Sequence, residues 1–219
     1  MSIHLLNSIE FTIDYNLLLQ TFKLNEASPA AEGLQELIET AKQIGKPKVL
    51  YKEAIVTNKG HDYLIIDGIK FHSQLLSCNV GTNKKIYPYI LTCGTELAYW
   101  AKSLKELLEI YWADKLMELA LNAAVTTFEQ HLQEHYQLSN TSNMNPGALE
   151  DWPLSEQKPL FSLFGPALEQ IGVHLTDSYL MVPLKSLSGI RFYSEKQFVN
   201  CQLCTRAACP NRRIEGGLL

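Results

Sequence analysis

The sequence predicts an α+β fold, an antiparallel sheet with long helices packed on it, and three observations carry that reading. Short β-branched and aromatic runs between 48 and 92 are bounded by turn formers. One apolar row, Leu104, Leu108, Trp112, Leu116, Ala120, Ala124, Phe128 and Leu132, recurs every four residues and makes the packing ridge of a long helix. The strand-like and helical stretches are segregated along the chain instead of alternating regularly.

From the start of the chain, Ile9-Glu10-Phe11-Thr12-Ile13 alternates apolar and polar side chains and predicts a strand. Asp14 is placed to cap a helix over Asn16 to Phe22. Ser28-Pro29 opens a second helix, because proline lacks only an N–H that would have no partner in the first turn. Leu34, Leu37, Ile38 and Ala41 give it one apolar face, and Gly45-Lys46-Pro47 ends it. Val49 to Tyr51, Tyr63 to Ile66 and Ile86 to Leu91 read as strands, with a tight turn at Asn58-Lys59-Gly60 and a short helix near Ser73 to Cys78.

A single helix is predicted from Thr95 to about Tyr136. Residues 138–153 are polar, rich in turn formers, and predict a loop. A helix follows over about Ser155 to Phe164, interrupted at Gly165-Pro166. His174 to Val182 and Ser188 to Tyr193 read as two further strands. Trp100, Trp112 and Trp152 are expected as core or loop anchors.

Composition narrows the classes of function. The 219 residues suffice for one large domain or two small ones. A net charge of −4 offers no general basic field for nucleic acid or an anionic membrane. No apolar run approaches the ~18 residues of a membrane span. The N-terminus lacks the basic start and long apolar stretch of a signal peptide, so the cytoplasm is the expected compartment.

The five cysteines are an odd number, which argues against a disulfide framework. Three of them form Cys201-x2-Cys204-x4-Cys209-Pro210. In a cytoplasmic chain that clustering points to metal or redox chemistry. Three thiolates need a fourth ligand for a closed zinc site or an iron–sulfur cluster, and Cys93, Cys78 or a histidine is available. A redox-active Cys201/Cys204 dithiol is a further option. His131-x-x-Glu134-His135 fits a zinc-peptidase spacing, but more simply forms the polar end of the long helix. Lys185 and Ser186 make a poor catalytic dyad, because neighbouring strand residues point to opposite faces.

The series Phe71-His72-Ser73, Leu91 to Glu96, Asn145-Pro146-Gly147 with Asp151-Trp152-Pro153-Leu154, Ile171 to Tyr179, and Pro183 to Gly189 resembles the S-adenosylmethionine-binding activation domain of cobalamin-dependent methionine synthase, in a stand-alone form. The resemblance covers more than half of the chain. It implies an activation-domain-like core over 71–199, an N-terminal α/β region over 1–70 packed on it, and a Cys-rich tail over 200–219. It also implies an accessory role in corrinoid methyl transfer, with methylcobalamin regenerated on a partner. S-adenosylmethionine would be held by Asn143, Pro146, Gly147, Ala148, Lys185 and Ser186. Cobalamin would reside on the partner, a corrinoid-binding protein or the methionine synthase core, and this chain would not be catalytic alone. The family pattern has Arg and Tyr where this chain has Asn143 and Ala148, and an acidic residue of its long helix falls near Thr126. The alternative is a metal- or iron–sulfur-binding redox or assembly protein on the same scaffold, with Cys201, Cys204, Cys209 and Cys93 as ligands.

Overall fold

The computed structural model describes residues 2–195 and Asn200. An antiparallel sheet is built around β6 (Lys85–Thr92). On one side of β6 lie β2 (Lys48–Lys52) and then β1 (Ile3–Leu6). On the other lie β10 (Ser186–Tyr193) and then β7 (Thr141–Met144). A meander of β3 (Ala54–Lys59), β4 (Tyr63–Ile66) and β5 (Ile69–His72) joins the beginning of β6. On the β2 side the ladder ends at Tyr89, and it resumes with β3 at Ile86. Pro88, which has no N–H to give, falls in that gap.

The helices form where their caps and apolar faces dictate. Asp14 Oδ1 accepts from Leu17 N at 3.0 Å and starts α1 (Tyr15–Phe22). Ser28 Oγ accepts from Ala31 N at 3.2 Å and starts α2 (Pro29–Ile44). Ser73 caps α3 (Gln74–Val80) in the same way. The ridge of the long helix is realised from Trp112 onward, where Trp112, Leu116, Ala120, Ala124, Phe128 and Leu132 are all buried.

That ridge packs in two directions. Its first half meets α2 in a cluster with Leu34, Ile38 and Ala41. Its second half crosses the sheet, with the Phe128 ring 5.2 Å from both Tyr51 and Tyr89. The opposite face of the sheet is covered by Trp152, Leu160, Phe161, Phe164 and Ile171. These come from the segment holding α6 (Gln157–Ser162) and two short 3-10 turns.

Several expectations are corrected. The N-terminal strand is Ile3–Leu6, not 9–13. Ile9 and Phe11 are buried in two different clusters from an irregular segment, so alternation marked burial without ladder pairing. The single long helix is two, α4 (Thr95–Ser103) and α5 (Leu107–Tyr136). The break comes at Leu104, which turns to an extended backbone and packs against the α2 cluster. The polar stretch 138–153 contributes an edge strand, β7. The strand expected over His174 to Val182 is a small hairpin of β8 (His174–Leu175) and β9 (Met181–Val182). The helix expected over Ser155 to Phe164 begins as a 3-10 turn, with α6 confined to Gln157–Ser162. Among the described residues no helix is long and apolar enough to cross a membrane.

Candidate functional site

The Asn143-to-Ala148 segment leaves the sheet as β7 and enters a type II turn. Pro146 supplies the fixed φ of its second position and Gly147, at φ +82°, the left-handed third. Ala148 N donates to Asn145 O at 3.1 Å and closes it. Gly147 N then donates to Trp152 O at 2.7 Å, anchoring the turn to a fully buried indole. Asp151 fastens the next step. It accepts from Ser73 Oγ and from Leu75 N at the start of α3. Trp152 is therefore a core anchor and no part of an exposed ligand surface.

Asn145 is the hub of the polar cluster behind this turn. Its Nδ2 donates to Tyr89 Oη at 2.8 Å and to Ser188 O at 2.7 Å. Its Oδ1 accepts from Asn143 Nδ2 at 2.8 Å and from Asn200 Nδ2 at 2.9 Å. All four hydrogen-bonding positions of the amide are thus used. Burial is the chief cause that raises the Tyr89 pKa, so the phenol stays protonated beside the amides. This crowding requires Gly189. A Cβ there would stand 2.5 Å from Met144 O, 2.6 Å from Asn145 Nδ2 and 2.7 Å from Tyr89 Oη.

Arg191 completes the cluster, and the sequence reasoning missed it. It is the register partner of Asn143 across the β7–β10 ladder. One Nη donates to Glu129 Oε1 on α5 at 2.7 Å, the other to Thr141 Oγ1 at 3.1 Å. An apolar-to-charged step inside a predicted strand, Ile190-Arg191-Phe192, was the available signal.

Not every expected residue joins this cluster. Asn143 and the 146–148 turn lie together. Lys185 and Ser186 lie toward the other end of β10, with Ser186 five positions from Arg191, roughly 17 Å along a strand. Lys185 Nζ pairs with Asp114 Oδ2 of α5 at 2.8 Å. Ser186 Oγ turns to the other face and donates to Thr92 Oγ1 at 3.1 Å. Thr126 is exposed on α5, and Glu129, one turn further, carries the carboxylate that meets β10.

The expected metal ligands are not assembled among the described residues. Cys201, Cys204 and Cys209 lie outside them. Cys93 is fully buried among Leu97, Trp112 and Leu116, and burial pushes its thiol up to about 12. Those are the surroundings of a thiol packed in the core. Cys78 is exposed on α3. No group of three or more His, Cys, Asp or Glu among the described residues is placed to hold a metal ion. His131 and His135 stack at 3.9 Å with rings 25° apart, and among the described residues no third ligand is placed with them.

No protein-family model matches this sequence, and no curated protein matches it. Among solved structures the chain is similar to the crystal structure of the MetH reactivation domain bound to AdoHcy. The TM-score is 0.65 at 15% identity, over 92% of this chain and 82% of that one. At that identity the likeness shows a shared fold: an antiparallel sheet with helices packed on it.

Proposed function

We propose that this chain is an accessory protein of cobalamin-dependent methyl transfer, presenting S-adenosylmethionine to a corrinoid-bearing partner of the methionine synthase type. The observation that carries the reading is the Pro146–Gly147 turn, held rigidly at the edge of a fold shared with a reactivation domain that binds AdoHcy. The residues present fit such a ligand in character. Asn143 offers its side-chain amide and the 146–148 turn its carbonyl groups, the Gly147 and Ala148 N–H groups being used inside the fold, and the Arg191–Glu129 pair lies beside them. When bound, S-adenosylmethionine supplies the methyl group. The chain's contribution is orientation, as in other systems where the bound group carries the chemistry. Reactivation by electron delivery would need a redox group or a further protein.

Calorimetric titration of the purified chain with S-adenosylmethionine in anaerobic buffer tests the reading. Micromolar binding is expected, and an absence of binding up to millimolar ligand would sink it. A second reading, a metal- or iron–sulfur-binding redox or assembly protein, rests on the spacing of Cys201, Cys204 and Cys209 alone. Stoichiometric iron with acid-labile sulfide, or stoichiometric zinc, in the purified protein would favour it.

A further inference from the structure

We propose that the first turns of α5 form a two-fold interface with a second copy of this chain. Where α5 begins it is apolar on its outer side as well as its inner one. Trp112, Ala113 and Leu116 are buried against the core. Away from that face, Leu107 is 84% exposed, Leu108 50%, Ile110 40% and Tyr111 60%. A helix packed on one side ordinarily turns charged residues outward, and one that is apolar all round is covered all round. Leu184, 78% exposed, borders the same patch, because its neighbour Lys185 pairs with Asp114 one turn beyond Ile110 and Tyr111.

Area and charge select a second copy as the occupant. The five side chains leave the equivalent of about three whole residues uncovered, on the order of 500 Å² of apolar surface. Monomeric proteins rarely expose a contiguous apolar patch of more than a few hundred Å². A standard interface takes about 800 Å² from each partner, and about 65% of a homodimer interface is apolar. The patch therefore supplies what one side of a dimer needs. Its two ends carry opposite charge. Lys102 and Lys105, both exposed, precede it, and neither is in an ion pair among the described residues. Asp114 and Glu118 follow it, seven and eleven residues after Leu107 and so on the same helix face. Their side chains are 56% and 39% exposed, although each already meets a lysine. Two copies of α5 crossing antiparallel about a two-fold axis set the lysines of one against the carboxylates of the other, twice over. The candidate ligand rim lies elsewhere. Glu129, beside that rim, is eighteen residues beyond Tyr111, roughly 27 Å along the helix. A partner seated over the Pro146–Gly147 turn is thus centred on a different surface, and the proposal is independent of the S-adenosylmethionine reading.

Sedimentation velocity of the full chain tests it, in reducing buffer so that no disulfide-linked dimer contributes. The wild type is expected to sediment at twice the 24.8 kDa chain mass at micromolar concentration and to dissociate on dilution. L107E/L108E, at two exposed positions, is expected to be monomeric with an unchanged far-ultraviolet circular dichroism spectrum. K102E/K105E leaves the apolar patch untouched and is expected to weaken the dimer by tenfold or more. It keeps the proposal open to refutation should L107E/L108E fold poorly. A wild type still monomeric at roughly 100 μM, well above the micromolar end of interfaces of this size, would overturn the proposal. So would a dimer that both pairs of substitutions leave intact. Hydrogen exchange at 107–111 that slows only when a corrinoid-bearing protein is added, and not with rising chain concentration, would overturn the second copy as the occupant.

Discussion

Arg191 stands directly opposite Asn143 in the β7–β10 ladder, on the face that α5 covers. One guanidinium therefore serves this patch from β10, and its neighbour on β7 is an amide. A second guanidinium at position 143 would face the first, and like charges directly opposite in a ladder are destabilising. N143R is expected to lower stability by up to about 1 kcal/mol, a fall of roughly 2–4 °C in melting temperature for a chain of this length. The double variant N143R/R191Q should recover most of the loss. Thermal melts followed by circular dichroism decide it, and an unchanged melting temperature in N143R would remove the argument.

Gly189 is the close-approach point of the cluster. The methyl of G189A would press on Met144 O, Asn145 Nδ2 and Tyr89 Oη, two of them part of the amide hub. Overpacking of this kind costs about 1–3 kcal/mol. Urea denaturation should show the loss as a lower midpoint with an unchanged slope.

His131 gives the fold a pH dependence. Tyr51 Oη and His131 Nε2 are 2.5 Å apart. Burial and the Tyr136 hydroxyl keep the Tyr51 phenol protonated, and its oxygen shares a hydrogen bond with the His131 ring. Burial foremost, then His135 and His4, lowers the His131 pKa, with Glu134 opposing. The unfolded chain thus takes up a proton first as pH falls below about 6.5. Stability from this residue is present above that pH and is lost progressively on acidification toward the depressed folded value. Denaturation midpoints at pH 7.5 and 5.5 should fall more in the wild type than in H131Q.

The two described cysteines should differ in reactivity. Cys93 is buried with its thiol pushed up to about 12, whereas Cys78 is exposed. Brief iodoacetamide treatment of the native protein, read by peptide mass spectrometry, is expected to label Cys78 and spare Cys93. Modification of both at similar rates would contradict the packed-thiol assignment.

Much of this protein is set by local sequence. Asp14, Ser28 and Ser73 cap their helices because a short side-chain oxygen reaches the free N–H groups of the first turn. The Trp112-to-Leu132 ridge names its buried face because helical period is a property of the chain alone. The Pro146–Gly147 turn follows from the φ that each residue favours. The break between α4 and α5, the strand status of polar β7 and the irregular, unpaired 9–13 segment follow from which partners are present in space. The patch of Asn143, Asn145, Tyr89, Glu129 and Arg191 is likewise a tertiary product. It unites residues up to 102 positions apart, Tyr89 and Arg191, and ladder register is fixed by packing of the whole sheet face, beyond the reach of any local window.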